Sequence, residues 1–360
     1  MGWQHFGKAV DPTIVEGISA YVDVDYRVVI EPEVMAQIRL DAPIYERLMS
    51  LGPNVIRADK AAIFAVLTSA DFSTGTGRKA SFTVGGDPNS INPQRSTYAL
   101  AKKSYGASGG IKDVDIIASA VPGAPITINN EQFTNDAERL IRLLTIRTVQ
   151  GIDYGMIKGN STTDTDDFDG LEIKVTSSNS GFYRDADGDT LVTGMVDEHV
   201  VWMMSKGVYP TAIYCNPIMH AGIVSAYQDR ARAQIVINDG ENRALGLWAS
   251  SIITPAGELP IVSDPRFTVT STGDSGAYSV QGDVFFAVEF YAGERILYPE
   301  WQIPISAINL AKVMGRGRAT STEFAVWSHL TLVERTNWWA QGRLANVVVS
   351  ATREWTAAGE

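Results

Sequence analysis

Few side chains in this sequence have the types and spacing that metal or acid–base chemistry requires. The chain of 360 residues contains four histidines and one cysteine. No two histidines stand at the spacing that places two imidazoles on one helical face for zinc, and a lone cysteine provides neither an intrachain disulfide nor a multi-cysteine metal site. Cys215 ends an apolar run, which predicts a buried structural thiol. We therefore expect no cofactor and no catalytic set.

Two aspartate-rich segments share some features with calcium-binding loops. They contain Asp164, Asp166, Asp167 and Asp169 in one case, and Asp185, Asp187 and Asp189 in the other. A calcium loop of this type needs a glycine at its sixth position and a glutamate at its twelfth. Counting from Asp185, these positions hold Thr190 and Val196. The pattern therefore favours aspartates that form turns. Residues 75–81 likewise lack the spacing of a phosphate-binding loop, and no helical pattern follows them.

The charge balance argues against a dedicated nucleic-acid-binding protein. The formal net charge is -11, whereas nucleic-acid binders usually carry a clear basic surface. Solubility alone explains an acidic chain of this kind. The basic segment 312–318 has two interpretations. It contacts DNA or an acidic neighbour, or it is a solvated turn. The first ten residues do not form a secretory signal, and no apolar run is long enough to span a membrane.

The strongest helical pattern covers residues 131–158. Apolar side chains recur there at steps of three and four, Asn129 or Asn130 precedes the pattern as a cap, and Gly159 ends it. The charged residues of this segment, including Asp153, fall largely on the other faces. The sequence predicts a helix roughly 40 Å long at 1.5 Å per residue.

The segment before this helix has a different pattern of residue types. Pro32 predicts the start of a helix that Pro43 breaks or restarts. Strand-like residues at 54–69 and 96–105 flank a polar, glycine-rich stretch, which predicts a long two-stranded excursion. An isolated pair of strands is marginal in water, so we expect support from another chain. The alternative is an ordinary sheet edge with a disordered loop.

Strand and helix patterns alternate after Leu171, which predicts a compact α/β domain. The clearest predicted elements are a helix at 197–204 ending at Gly207, a strand at 211–215, an Asn216-Pro217 turn, a helix at 218–230 and a strand at 259–265. From Gly282 onward the pattern is largely β, with strands at 284–288, 295–298 and 345–350.

The order of these parts resembles the major capsid protein family of tailed bacteriophages, whose fold is named after Hong Kong bacteriophage 97. Residues 157–160 and 168–171 resemble the glycine-ended spine helix of that family and its entry into the axial domain. Tyr214-Cys215-Asn216-Pro217 resembles the turn after the first axial strand, and residues 259–264 resemble the following strand. The resemblance covers nearly the whole chain and rests on order and spacing, since each motif is short.

The resemblance implies an α+β fold with an N-terminal arm, an extended β-hairpin loop, a peripheral domain with a long spine helix, and an α/β axial domain. The implied boundaries are 1–30 for the arm, 31–56 and 106–170 for the peripheral domain with its spine helix at 131–158, 57–105 for the extended loop, 171–281 for the axial domain, and 282–360 for the returning β part of the peripheral domain and the C-terminus. Candidate intersubunit contacts are Trp3, Phe6, Arg57, Lys60, Arg78, Lys79, Arg95 and Lys102; for the two aromatics, folding back onto their own domain is an equal alternative. Candidate hinge residues are Gly159, Asp169 and Gly170.

The function implied is that of a major capsid protein, which assembles with itself as hexamers and pentamers into an icosahedral shell around double-stranded DNA. Implied partners are the portal, scaffolding and decoration proteins, with packaged DNA contacted non-specifically and no membrane involved. No removable scaffolding segment is visible, so a separate scaffold protein is expected. The expected location is the virion, and the host cytoplasm during assembly. An encapsulin-like cellular compartment shares the fold and is the second interpretation, and an unrecognised hydrolase is the third.

Overall fold

The structure, a computed structural model, describes residues 33–34, 42–53, 55–69, 94–112, 126–128, 131–133, 136–228, 235–236, 251–272, 278–309 and 321–351. The described helices are α1 (Pro43–Ser50), α2 (Asp136–Lys158), α3 (Leu171–Lys174), α4 (Thr193–Ser205) and α5 (Pro217–Gln228). Among these helices, none is long and apolar enough to cross a membrane.

The described strands fall into sheets of very different size. In chain order they are β1 (Glu33–Val34), β2 (Val55–Ile56), β3 (Ala61–Ser69), β4 (Gln94–Ala101), β5 (Lys103–Lys112), β6 (Ile126–Ile128), β7 (Glu131–Phe133), β8 (Phe182–Asp185), β9 (Ala212–Cys215), β10 (Ile235–Val236), β11 (Ser251–Thr254), β12 (Gly257–Ser263), β13 (Val269–Thr272), β14 (Tyr278–Ala287), β15 (Phe290–Tyr291), β16 (Glu294–Arg295), β17 (Leu297–Asn309), β18 (Ser321–Glu334) and β19 (Gly342–Ala351).

The described residues belong to two compact units. One draws on Met1–Asp41, Tyr105–Gly151 and Ile305–Ser328, and the other on Ala42–Ser104, Ile152–Pro304 and His329–Glu360. In the first unit, a Cβ at Gly109 of β5 would meet Leu140 of α2 at 3.2 Å, so strand and helix approach closely there. The second unit contains the largest sheet and every polar cluster described below.

The largest sheet has eight strands in the order β10-β11-β12-β9-β14-β19-β8, with β13 paired to β14. β9 runs parallel to β12 and antiparallel to β14, so it lies in the middle of the sheet and is buried at all four positions. Parallel central strands are usually buried on both faces, which agrees with the apolar run that ends at Cys215. Cys215 is fully buried, and burial raises the pKa of its thiol, so the predicted structural role is confirmed.

Two helices complete the core beside this sheet. Val196, Val200 and Met203 recur at helical spacing on the buried face of α4. Met219, Ile223 and Tyr227 of α5 are buried in the same cluster, as are Ile213, Cys215, Val284, Phe286, Leu344 and Val347 of the sheet. The helices and strands predicted between Asp197 and Asp264 are therefore present, with end points shifted by a few residues.

The start of the long helix differs from its prediction. α2 begins at Asp136 rather than Glu131, so its 23 residues span about 35 Å. Residues 131–133 form β7 and pair antiparallel with β6, with Ile126 opposite Phe133. Their backbone groups bond to the strand just before them in the chain, a strand pairing that the helical spacing of apolar residues does not reveal. The predicted caps Asn129 and Asn130 lie outside the described residues.

Two further predictions need correction. Glu33–Val34, where a helix was expected after Pro32, is a strand that pairs parallel with β6. Asp153, expected away from the apolar face of α2, is fully buried. The predicted restart at Pro43 is confirmed, because α1 begins there with Pro at its first position and buries Ile44 and Leu48.

The sheet also crosses an expected boundary of the sequence. β14 runs through the expected end of the axial segment at residue 281, and β19 lies in the segment expected to return to the peripheral domain. Both strands belong to the eight-stranded sheet, since β14 pairs with β9 on one side and with β19 on the other.

A buried histidine makes this core sensitive to acid. His199 of α4 stacks on Phe286 at 4.4 Å between ring centroids and meets Trp202 edge-on at 5.5 Å. Neither of its ring nitrogens has a hydrogen-bond partner among the described residues. Burial, and secondarily the charge of Arg184, lower the pKa of His199 to about 4, although the nearby backbone of Phe182 partly offsets this.

We expect the free energy of unfolding to fall as pH drops from 6.5 through 4. The unfolded chain binds a proton at His199 in that window and the folded chain does not, so the loss amounts to roughly 3 kcal/mol. Replacing His199→Phe should flatten this part of the stability profile in urea titrations. His329→Gln, at a less buried histidine that contacts Ser104, serves as the control and should leave most of the acid loss in place. Parallel profiles for the wild type and His199→Phe would contradict this.

Candidate intersubunit contacts and the polar joints behind them

The predicted contact residues fall into three groups. Trp3, Phe6, Arg78 and Lys79, and the basic segment 312–318, lie outside the described residues. Arg95 lies in β4, opposite Leu67 of β3. Arg57, Lys60 and Lys102 meet at the base of the β3–β4 hairpin, where the backbone N–H of Lys102 donates to the carbonyl of Lys60 at 3.0 Å.

The hairpin is anchored to β17 through a buried ion pair. The ammonium of Lys102 lies 3.0 Å from Glu300 Oε1 and donates to the carbonyl of Arg57 at 2.9 Å. Arg57 in turn donates its backbone N–H to the carbonyl of Trp301 at 2.8 Å. β2 pairs parallel with β17 beside this contact, with Val55 opposite Glu300. The base of the hairpin is therefore fixed by charge and by backbone bonds together.

Lys102 is thus a correction to the predicted contact set. Its side chain has no exposed surface, and it is paired within its own chain, so it positions the hairpin and is not available to a neighbour. Arg57 remains available, since its side chain is 53% exposed and its guanidinium is 3.7 Å from Glu300. Lys60 is exposed as well.

The two faces of the β3–β4 hairpin differ in burial. On one face, Phe64 stacks on Tyr98 at 5.7 Å, and Ala62 packs with Tyr298 and Val333. The opposite face, which carries Ile63, Ala65, Thr97, Ala99 and Ala101, is exposed, with Ile63 at 59%. We call this second set the open face of the hairpin. It is apolar and nearly free of bulky polar side chains, a composition suited to contact with another surface.

The predicted hinge is tightly packed against the end of α2. Gly159 donates its N–H to the carbonyl of Gly155 at 2.9 Å, and Gly170 donates to Gly159 at 2.8 Å. A Cβ at Gly159 would lie 2.1 Å from the carbonyl oxygen of Phe168, and one at Gly170 would lie 2.6 Å from that of Gly155. The two glycines are therefore required for close backbone approach, which closes residues 159–170 into a compact loop.

Side chains hold the same loop from both ends. Asp169 accepts from the N–H of Ser161 at 2.8 Å and pairs with Lys174 at 2.8 Å. Partial burial alone would raise the pKa of Asp169, but the hydrogen bonds from Lys174 and Ser161 lower it below its usual value. The ammonium of Lys103 donates to the carbonyl of Thr165, which ties the loop to the start of β5. Asp169 is a structural clamp in this geometry.

The aspartate-rich segments form turns, as predicted. Asp164 accepts from the N–H of Asp166 at 2.9 Å, and Asp185 accepts from the N–H of Asp187 at 2.9 Å. Such bonds from a side chain to the backbone two residues on are typical of Asx turns. Over the described ranges, no group of three or more acidic, histidine or cysteine side chains is arranged to hold a metal ion.

A second buried carboxylate joins α1 to the large sheet. Arg47 binds Glu289 through two hydrogen bonds of 2.8 Å, a bidentate geometry. Tyr214 donates to the same carboxylate at 2.7 Å, and Thr211 donates at 3.1 Å. Glu289 is fully buried, and burial together with this carboxylate raises the pKa of Tyr214 well above its usual value. Sequence reasoning missed this cluster because Arg47 and Glu289 are 242 residues apart.

The bulge in β14 carries a third joint. Arg343 pairs with Asp283 and donates to the carbonyls of Glu172 and Val175 at 2.9 and 3.0 Å. Asp283 also accepts from the N–H of Asn346 at 2.9 Å, where the register between β14 and β19 shifts. The arginine therefore holds α3 and the residue after it against the sheet.

The turn between β18 and β19 depends on Glu334. This buried carboxylate accepts from the hydroxyl of Thr336 at 2.5 Å, from the N–H of Trp338, and from the amide of Gln341 at 3.1 Å. Burial raises the pKa of Glu334, although these hydrogen bonds oppose the shift. Asn337 and Trp338 both adopt positive φ, at 53° and 68°. The carboxylate offsets the backbone strain of these two residues.

The comparison with known proteins rests on three-dimensional structure. No family model matches the chain. No curated protein matches it by sequence. Among solved structures, the cyanophage A-1(L) capsid superposes with a TM-score of 0.56 and 11% identity, over 86% of this chain and 94% of the other. The capsid of a native GTA particle gives 0.56 at 10% identity, over 88% and 93%.

The chain has the fold of these capsid shells. An encapsulin from Synechococcus elongatus PCC 7942 also superposes, with a TM-score of 0.52 and 14% identity, over 91% of this chain and 95% of the other. The predicted resemblance to the Hong Kong 97-type capsid fold is therefore confirmed at the level of a mixed α+β fold that covers most of the chain.

We expect Gly170→Ala to lower the free energy of unfolding by about 1–3 kcal/mol, since the new methyl group meets backbone atoms that cannot move aside cheaply. Gly151→Ala is the matched control within α2, because its Cβ would meet only a side-chain atom of Tyr105 at 3.8 Å. That control should stabilise the helix by about 0.5–1 kcal/mol. Urea denaturation checks both, and equal stability of the two variants would contradict the close-packed loop.

We expect Lys102→Met to cost about 3–5 kcal/mol of stability, because it leaves Glu300 buried without its cation. Arg57→Met removes an exposed partner of the same carboxylate and should cost no more than about 1 kcal/mol. Adding Glu300→Gln to Lys102→Met should recover much of the loss. Denaturant titration of the four proteins measures these differences. If Arg57→Met lowered the free energy of unfolding as much as Lys102→Met does, burial of the cation would not determine how much each ion pair contributes to stability.

Proposed function

We propose that this chain is a major capsid protein, which assembles with itself into the icosahedral head shell that encloses the double-stranded DNA of a tailed bacteriophage. The observation that carries the proposal is the capsid fold, shared over 86–94% of the chain with phage and GTA capsid shells. The role is structural, and no catalytic step is assigned to any residue.

The proposed division of labour follows the order of parts along the chain. Residues 1–30 serve as an arm, 57–105 as the extended loop, and 171–281 as the axial domain. The peripheral domain consists of residues 31–56, 106–170 and 282–360. Flat subunits of this type would form hexamers and pentamers around their axial domains. The compact packing of residues 159–170 favours a fixed joint between α2 and the axial part over a freely rotating hinge at Gly159, Asp169 and Gly170.

The extended hairpin is the proposed contact between neighbouring subunits. Its base is fixed to β17 by Lys102, while its open face exposes Ile63. A neighbour that covers this face would bury apolar surface worth about 25 cal/mol per Å². Arg57, Lys60, Arg78, Lys79 and Arg95 of the same segment are proposed to add polar contacts around it. Trp3 and Phe6 are proposed to dock the arm.

The remaining partners follow from the shell function. The net charge of -11 suits a wall that does not hold packaged DNA tightly. Portal, scaffolding and decoration proteins are the proposed protein partners, the host cytoplasm is the proposed site of assembly, and the virion is the final location.

An encapsulin-like cellular shell is the second candidate, because the fold also matches the Synechococcus elongatus encapsulin. Both candidates require closed particles, and they differ in content. A shell that packages DNA together with phage proteins supports the capsid. A shell formed in cells without phage genes that encloses a protein cargo supports the compartment.

The proposal is tested by negative-stain microscopy of the purified full chain, alone and co-expressed with candidate scaffold proteins. We expect closed particles for the wild type. Ile63→Asp places a charge on the open face and should abolish particles while leaving the thermal midpoint of the subunit within a few degrees, because the position is exposed. Ile63→Val, which keeps an apolar side chain, should assemble normally. Monomers or small oligomers under all conditions would contradict the shell function.

A further inference from the structure

A cluster of two buried carboxylates and one guanidinium joins α2, α1 and the turn after β12. Asp153 of α2 accepts from the backbone N–H of Tyr45 in the first turn of α1 at 2.7 Å. Arg266 donates to Asp153 and also to Asp264, the latter at 2.9 Å. The side chains of Asp153 and Asp264 have no exposed surface, and that of Arg266 is 17% exposed. Three separate elements therefore meet at one polar cluster.

The charges of this cluster do not balance when both carboxylates are ionised. From the turn after β12, Asp153 faces Asp264 and Arg266; from α1 it faces the N–H of Tyr45, with Glu46 next along that helix. Its neighbours one turn away on α2 are Val149, Gln150, Met156 and Ile157, which carry no charge. One guanidinium thus serves two buried anions. A buried excess charge is costly, so the cluster favours retention of one proton.

Several hydrogen bonds hold the backbone of Arg266 in place. Asn216 donates to the carbonyls of Pro265 and Phe267 at 3.3 and 3.0 Å, and Asp264 accepts from the N–H of Arg266 at 2.8 Å. Asp264 also donates its N–H to the carbonyl of Cys215 in β9 at 2.9 Å. The backbone of the turn is therefore held on the central strand, which keeps Arg266 next to Asp264 and Asp153.

We propose that Asp153, Asp264 and Arg266 form a proton-controlled latch, which holds the N-terminal end of α1 on α2 while one proton is bound and loosens when that proton leaves to solvent. In the closed form the protonated carboxyl of Asp153 donates to Asp264, and Asp264 balances Arg266. After loss of the proton, two carboxylates share one cation, and the bond from Tyr45 to Asp153 is the contact that can open. The latch acts within one chain and does not depend on shell assembly.

The direction of the pH effect follows from proton linkage. Burial, and then the hydrogen bond and charge of Asp264, raise the pKa of Asp153 from 3.8 to about 8, against smaller opposing effects of Tyr45 and Arg266. The closed form therefore holds a proton between pH 4 and 8 that the open form has lost. Opening should become easier by up to about tenfold for each pH unit in that window and should level off above it.

Amide hydrogen exchange of the full-length protein tests the latch, with Asp153→Asn as the main variant. An asparagine keeps an acceptor for Tyr45 and a donor for Asp264, as the protonated carboxyl does. We expect the protection factor of peptides covering residues 43–50 to fall at least tenfold from pH 5 to pH 8 in the wild type. In Asp153→Asn it should change less than threefold. His199 titrates in an overlapping window with the opposite sign, and the comparison of wild type with variant cancels its contribution.

Two further variants keep the test decisive. Asp264→Asn leaves one carboxylate for one guanidinium and should also remove the pH dependence, so it replaces Asp153→Asn if that variant does not fold. Asp283→Asn disturbs the partly buried pair of Asp283 and Arg343, which has a single carboxylate, and should keep the wild-type pH dependence at residues 43–50. Equal pH dependence in the wild type and in both latch variants overturns the proposal, and so does a wild type whose protection is constant from pH 5 to 8.

Discussion

The attachment of the long hairpin depends on one buried carboxylate, that of Glu300. Two antiparallel strands alone are marginally stable in water. The orientation of such a hairpin relative to the rest of the subunit must therefore be set by contacts at its base. The ammonium of Lys102 forms an ion pair with Glu300 in the interior at 3.0 Å and also donates to the carbonyl of Arg57. The orientation of the hairpin relative to β17 is therefore set at the base of the hairpin. The contacts at this base leave the open face around Ile63 exposed.

Carboxylates with several hydrogen-bond donors also hold three other parts of the described structure. Glu289 receives α1 through Arg47, Asp283 receives the end of α3 through Arg343, and Glu334 organises the turn between β18 and β19. Each carboxylate is buried or largely buried and has several donors, as an ionised group in a low-dielectric interior requires. Such contacts contribute directional geometry, which non-directional apolar packing does not provide. The proposed role as a shell subunit would require this geometry, because small angular errors at the base of an extended element grow along its length.

The sequence predicts the middle of the second unit well and its connections poorly. β9, the Asn216-Pro217 turn and α5 follow from an apolar run, a capping asparagine and a proline at the first helical position, all of which are local signals. The end of α2 follows from Gly159. Its start does not, because residues 131–133 bond to β6 instead. Lys102 and Lys103 are adjacent in sequence, yet only Lys102 is buried, and its partner Glu300 lies about 200 residues away. Such long-range pairs leave no mark on local periodicity.

In an assembled particle, the open face of the hairpin would be the surface that a neighbouring subunit covers. A cryo-electron-microscopy reconstruction of particles formed by the full chain should show Ile63 covered by a neighbouring subunit, with Lys102 still paired to Glu300 within its own chain. Particles in which the Ile63 face remains solvent-exposed, or in which Lys102 leaves Glu300 to bind a neighbour, would contradict the claim that the buried pair positions the hairpin for contact between subunits.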